Sequence, residues 1–440
     1  MTDIVFSFDT EDFTSSVSAD AIVREAEILR ARGIRGCFCV VGLLAKQLQN
    51  WGRTDVMEAL RHHEIDLHTY GHTLHPMINE YTDIEDFGAA RDEVIRQETE
   101  ALRLIKDTFG TDRVYAAVPP GNSKSYAAMY AYADMGVPIY ADTFCDPEDG
   151  RGSHYCNIFH MDYAYCCESD FFDGDRETLK KVLDTLAQRK RAVVYTHPNA
   201  SLFDEWWDIL NYDKENLCEF GQWKVCRRRP REKSEKFYEN LGIFADMVQN
   251  DSRFRIVTYA DVAKEIEKEP PRTVTCGDLP EIRKQLSENL FPVTTPVSLS
   301  LSDIFYACAD LLCGKREHLC RKVYGFLFRP CPSPEAFTVT AEEMRKSAAA
   351  IRTDDFIPPK IPVAGKEAGP ADWMMAALDI LCGKTETKIV PGEQMPCPDI
   401  LPKVRDCSLK GTWRHADSFE DKYLSDRLRL QMWTMRFDAQ

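Results

Sequence analysis

The sequence contains no run of about 18 apolar residues, no Cys-x-x-Cys pair and no excess of cationic side chains. Without such a run, no segment is expected to cross a bilayer. The missing Cys-x-x-Cys argues against a zinc ribbon or a thioredoxin-type redox centre. Lys+Arg number 55 against 71 Asp+Glu, a formal net charge of −16. This argues against nucleic acid as the main partner and against an anionic membrane surface, because both need cationic excess. The opening Met1-Thr2-Asp3 also lacks the basic and apolar regions of a signal peptide. The sixteen cysteines sit in apolar runs such as GCFCVVG (Cys37, Cys39) and YACADLLC (Cys308, Cys313), where a free thiol behaves as a small hydrophobe. The expectation is a reduced, cytoplasmic protein.

What is present is an ordinary globular composition, 44% hydrophobic and 29% charged over 440 residues, long enough for two or three domains. In the first 269 residues β-rich runs alternate with amphipathic stretches. The strands expected are Ile4–Phe8, Gly36–Val41, Ile65–Leu67, Val114–Val118, Val137–Ala141, Asn157–Tyr163, Ala192–Thr196 and Phe254–Thr258. Helices are expected over Ala19–Arg32, Ile84–Thr108, Arg176–Arg189 and Lys233–Gln249. This α/β alternation implies a parallel sheet, and eight strands favour a (β/α) barrel whose chemistry lies at the C-terminal ends of the strands. After residue 269 the texture changes. Residues 270–440 are expected to form a smaller, mainly α-helical module with an internal repeat: Ser302–Lys315 (SDIFYACADLLCGK) and Ala371–Lys384 (ADWMMAALDILCGK). Such a module serves packing or oligomerisation, or binds a substrate or surface.

The strand ends carry the chemical signals. The first strand runs into Asp9-Thr10-Glu11-Asp12, a carboxylate cluster that is costly unless it holds a cation, relays a proton or caps a helix. Alternation places Asp9 and Glu11 on one face. The third strand ends in His68-Thr69-Tyr70-Gly71-His72, two imidazoles able to converge on one ion. A late strand ends in Thr196-His197, where a histidine is placed as a general acid. Beyond it lie Trp206, Trp207, Tyr212 and Trp223 and the basic run Arg227–Arg231, which either pack a lid and a solvated face or stack on sugar rings and hold an anionic group.

The order of these motifs resembles the polysaccharide deacetylase (NodB-homology) superfamily over roughly residues 1–265. The resemblance implies a distorted barrel of NodB type, with Asp9 as catalytic base and His197 as general acid. It implies one divalent metal ion held by His68, His72 and Glu11, with Asp12 as the alternative carboxylate; zinc leads, and cobalt, nickel, iron or manganese also suit such ligands. A backbone N–H near Pro120, Gly121 and Asn122 would stabilise the oxyanion, and Trp206 would touch the substrate. Two features depart from the family. Val118 stands where an Arg orients the base, with Lys124 as a substitute. The residue supporting the acid histidine is not recognisable among Asp162, Asp170 and Asp173.

The activity expected is metal-dependent removal of an acetyl group from an N-acetylated sugar or glycan-related substrate, small molecule or oligosaccharide. Alternatives are hydrolysis of a non-peptide C–N bond in a small amide or cyclic imide, and an inactive barrel kept for binding.

Overall fold

The computed structural model describes the whole chain except residues 122–123, 143–148, 215, 398, 400, 408–413 and 438–440. It divides into two compact units. The first comprises Met1–Gly152, Ile158–Lys268 and Ser408–Leu424; the second comprises Ser153–Asn157, Glu269–Cys407 and Ser425–Gln440. The chain is therefore not parted by a single cut after residue 269, because 408–424 returns to the first unit.

In the first unit a parallel sheet is built from β1 (Thr2–Thr10), β2 (Cys37–Val40), β3 (Glu64–Leu67), β4 (Ala116–Ala117), β5 (Ile139–Ala141), β6 (Ile158–Met161), β7 (Tyr165–Cys166), β8 (Arg191–Thr196) and β9 (Phe254–Ile256). Its strand order is β6-β5-β4-β3-β2-β1-β8-β7. β8 pairs along one edge of β1, from Asp3↔Arg191 to Phe8↔Thr196. β9 and β2 pair with β1 at Thr2–Ile4 and Ser7–Thr10 respectively. Among the described residues no ladder joins β6 to β7, so the barrel is curled but open, a distorted (β/α) barrel. Every residue of β1 is buried, as expected of a central parallel strand covered on both faces.

Alternation sorts the side chains. Val5, Cys37, Cys39, Ala116, Ile139, Phe159 and Val193 form one core cluster inside the curl. Phe6 and Phe8 point the other way: Phe6 meets Phe244 at 6.0 Å between ring centroids and Phe8 stacks on Phe38 at 4.5 Å. All eight strands read from the sequence are present; those beginning at Ile4, Ile65 and Ala192 run longer than read and the other five are shorter. The four amphipathic helices are present as Ala19–Arg30, Phe87–Phe109, Arg176–Leu186 and Arg231–Gln249. The pattern missed the short helices Gly42–Asn50 and Thr54–Leu60, as well as the nearly all-buried Tyr126–Asp134, which has no polar face to produce a period. No helix among the described residues is long and apolar enough to cross a membrane.

The second unit is less purely helical than its composition implied. The repeated segments are helices Leu301–Leu312 and Pro370–Leu381, and Phe305 and Trp373 meet 5.2 Å apart in their shared core. Each is embraced by a short antiparallel pair, Thr273–Thr275 with Glu317–Leu319 and Phe337–Thr340 with Glu386–Ile389. The duplication is thus of a strand–helix–helix–strand unit. It extends to polar detail: Asp310 accepts hydrogen bonds from Lys315 and His318, and Asp379 from Lys384 and Thr387.

Candidate active site and metal centre

Because the strands are parallel, their C-terminal ends share one rim, where β1, β3, β4 and β8 deliver Asp9, His68, Val118 and His197. Past the end of β3 the chain turns sharply, with Thr69 (φ 63°) and His72 (φ 51°) in the left-handed region. For non-glycine residues this conformation costs about 1–2 kcal/mol each. The turn is held by the His72 N–H donating to Thr69 Oγ1 (3.1 Å) and by Gly42 and Leu43 N–H donating to the Thr69 and Tyr70 carbonyls (3.0 and 2.9 Å). It brings the second imidazole back beside the first, their ring centroids 5.0 Å apart.

Glu11, His68 and His72 converge, all buried, with one ligand atom from each within 4.8 Å of the others. Glu11 Oε2 lies 2.8 Å from His72 Nε2 and 3.6 Å from His68 Nε2. Glu11 Oε1 accepts the Trp207 indole N–H at 2.9 Å. His68 Nδ1 donates to the Val118 carbonyl at 2.7 Å, which fixes the tautomer and leaves Nε2 as a buried lone pair with no hydrogen-bond partner. An orphaned imidazole lone pair facing a carboxylate is a donor set that could hold a divalent ion, with the back-side hydrogen bond such ligands carry. Burial opposes ionisation of Glu11, yet the charge of His72 beside it holds its carboxyl well below the usual range. Asp12, the alternative ligand, is turned away: its Oδ1 accepts from Thr14 N and Oγ1 (2.9 and 2.6 Å) in a local turn, and burial raises its pKa to about 6.

Asp9 and His197 form the other side of the site. His197 Nε2 is 3.5 Å from Asp9 Oδ2, and Asp9 Oδ1 accepts the Tyr163 hydroxyl at 2.6 Å. Behind His197, Glu168 Oε1 lies 2.6 Å from Nδ1 and accepts the His197 backbone N–H at 2.8 Å. Burial works to lower the histidine pKa, but the charges of Glu168, Glu11 and Asp9 raise it to about 10.

Glu168 is therefore the support of the histidine, and the three aspartates weighed for that place are engaged elsewhere. Asp162 pairs with Arg189, Asp170 accepts from Tyr165, and Asp173 pairs with Lys233. The signal for Glu168 was its place just past a strand end, but that strand, Tyr165–Cys166, is too short to show a period. Lys124 does not hold Asp9 either; its ammonium lies 3.5 Å from Asp142.

These groups line a cavity of about 400 Å³ whose walls include Pro119, Pro120, Gly121, Tyr195, Trp206, Asp208 and Arg414. Trp206 is half-buried and stands edge-on to His197, 5.1 Å between ring centroids. Trp207 is wholly buried against Phe13. Asn122 lies outside the described residues. Arg414, which nothing in the sequence pattern marked, enters from the returning segment and pairs with Asp208 at 2.9 Å and Asp213 at 3.4 Å.

No known family model matches the chain, and no curated protein matches its sequence. Among solved structures, it aligns with a Mycobacterium smegmatis protein designated a polysaccharide deacetylase, at 16% identity over 62% of this chain and 93% of that one, TM-score 0.40. A mutant of the peptidoglycan deacetylase PdaC from Bacillus subtilis aligns at 12% identity over 65% and 96%, TM-score 0.33. A 4-alpha-glucanotransferase from Thermococcus litoralis aligns at 13% over 62% and 41%, TM-score 0.42. The chain is similar to polysaccharide deacetylases of known structure.

Proposed function

We propose that the first unit is a metal-dependent amide hydrolase that removes an acetyl group from an N-acetylated sugar or related compound. The observation that carries this reading is the juxtaposition of two groups of side chains, one buried and one reaching the cavity. Glu11, His68 and His72 are arranged around an orphaned imidazole lone pair, and the Asp9–His197–Glu168 chain stands beside them at the same rim. A divalent ion held by Glu11, His68 and His72 supplies Lewis acidity and lowers the pKa of water.

The chain's own residues divide the proton work. Asp9, a carboxylate with Oδ1 occupied by Tyr163, takes the proton of the attacking water on Oδ2. His197, kept protonated by Glu168, donates from Nε2 to the departing amine. Two adjacent groups must start in opposite protonation states, and distinct partners arrange this: a neutral phenol for Asp9 and a second carboxylate for His197. In the wall at Pro119–Gly121 the backbone donor available to a developing oxyanion is the Gly121 N–H, since proline has none. Trp206 and Tyr195 offer aromatic faces to a sugar ring. A cavity of this size suits a compact substrate and is at the small end of ligand pockets.

The test pairs metal analysis with acetate release. The wild type is expected to retain about one ion per chain and to release acetate from N-acetylated sugars, and the His68→Ala/His72→Ala variant to do neither. A wild type that takes up no ion after incubation with zinc, cobalt, nickel, iron or manganese sinks the proposal.

A further inference from the structure

Among the described residues, the buried Asp9 carboxylate is held by no cation other than His197 at 3.5 Å; its short contact is the Tyr163 hydroxyl at 2.6 Å. That phenol is itself part of a chain. Ser7 Oγ lies 2.8 Å from the Tyr163 oxygen, and the Tyr259 hydroxyl donates to Ser7 Oγ at 3.2 Å. All three hydroxyls are buried inside the curl of the sheet. The direction of the chain follows from its end. A carboxylate only accepts, so Tyr163 donates to Asp9; the Tyr163 oxygen then accepts from Ser7, which in turn accepts from Tyr259. Three hydroxyl protons thus point the same way, and each bond polarises the next in surroundings that exclude water.

The scaffold keeps the chain in register. Ser7 and Asp9 lie two residues apart on one face of β1. Tyr163 follows β6, with its ring 4.4 Å from that of Tyr195, and Tyr259 opens the helix Tyr259–Glu267. We propose that Tyr163 is the positioning residue of the general base: through Tyr259–Ser7–Tyr163 it locks Asp9 Oδ1 and turns Oδ2 toward His197 and the cavity. This rests on the hydrolase reading of the same site and adds to it the group that sets the base's geometry. A neutral donor fixes Oδ1 without adding a second cation to the one, His197, that already faces Oδ2.

The test has two independent arms. In the first, acetate release from N-acetylated sugars is measured for the wild type, Tyr163→Phe, Ser7→Ala and the double variant. Tyr163→Phe is expected to lower kcat roughly 10- to 100-fold with KM little changed. Ser7→Ala should fall between it and the wild type, and the double variant should be no slower than Tyr163→Phe. A Tyr163→Phe protein with wild-type kcat, or one whose loss lies wholly in KM, overturns the proposal. The second arm needs no turnover. Protein labelled with carbon-13 at the tyrosine ζ position gives a Tyr163 signal identified by its loss in Tyr163→Phe. That signal is expected to move in Asp9→Asn and in Ser7→Ala; a signal indifferent to both overturns the chain. A wild type that releases no acetate defeats the hydrolase reading alone, and the carbon-13 shifts then decide the role of Tyr163.

Discussion

One oxygen of Glu168 holds His197 twice, 2.6 Å from the ring Nδ1 and 2.8 Å from the backbone N–H. The carboxylate therefore fixes the strand end, the ring and its charge together. With burial opposing and Glu168 foremost in favour, His197 stays protonated up to about pH 10. A group with a raised folded-state pKa contributes stability that is present at low pH and lost as pH rises through the folded value. In the general-acid role proposed for it, it would fail in the same direction. Glu168→Gln is expected to bring the alkaline limb of kcat/KM down toward the ordinary histidine range, measured as a pH–rate profile beside the wild type. An unmoved limb would separate Glu168 from the acid.

The Trp207 indole N–H is the hydrogen bond on the far oxygen of Glu11, and the ring is wholly buried. Partners behind metal ligands are worth about 10- to 100-fold in affinity. Trp207→Phe keeps the packing against Phe13 and removes the donor. The expected outcome is zinc bound about tenfold or more weakly, read by competition with a chelating dye, with little change in far-ultraviolet circular dichroism.

Glu25 is buried near the same strand end, where Thr196 Oγ1 donates to it at 3.4 Å. Burial, reinforced by Glu168, raises its pKa to about 8. Folding therefore favours its protonated form, and this stabilisation is lost as pH rises from the unfolded carboxyl value toward about 8. Glu25→Gln should melt higher than the wild type near about pH 9 and close to it near about pH 5, in calorimetric scans at the two values. A difference that ignores pH would contradict the assignment.

In the repeats, Asp379 accepts from Thr387, Lys384 and Arg283 at 2.8, 2.9 and 3.0 Å, whereas its counterpart Asp310 holds His318 and Lys315, each at 2.8 Å. Asp379→Ala is expected to cost about 2–3 kcal/mol and Asp310→Ala somewhat less, measured by chemical denaturation of the full chain. The reverse order would show that the extra arginine adds nothing.

Periodicity and strand-end chemistry made much of this protein legible as a string of residues. The alternation of β-rich runs such as Ile4–Phe8 with amphipathic stretches revealed a parallel sheet, and the carboxylates and histidines that close those strands marked Asp9, Glu11, His68, His72 and His197, because strand ends in such sheets share one rim. The choice of Glu11 over Asp12 was not legible: it depends on a side-chain turn to Thr14 and on an indole almost two hundred residues away. Glu168 was hidden on a two-residue strand with no period to read. Tyr163 was hidden because its role comes from one contact across the curl, and Arg414 because it lies in a segment that rejoins the first unit after the repeats. Local sequence determined which residues stand at strand ends, since side-chain direction follows from the two-residue pleat. Only the tertiary structure decided which groups hold them there, since those partners come from anywhere in the chain.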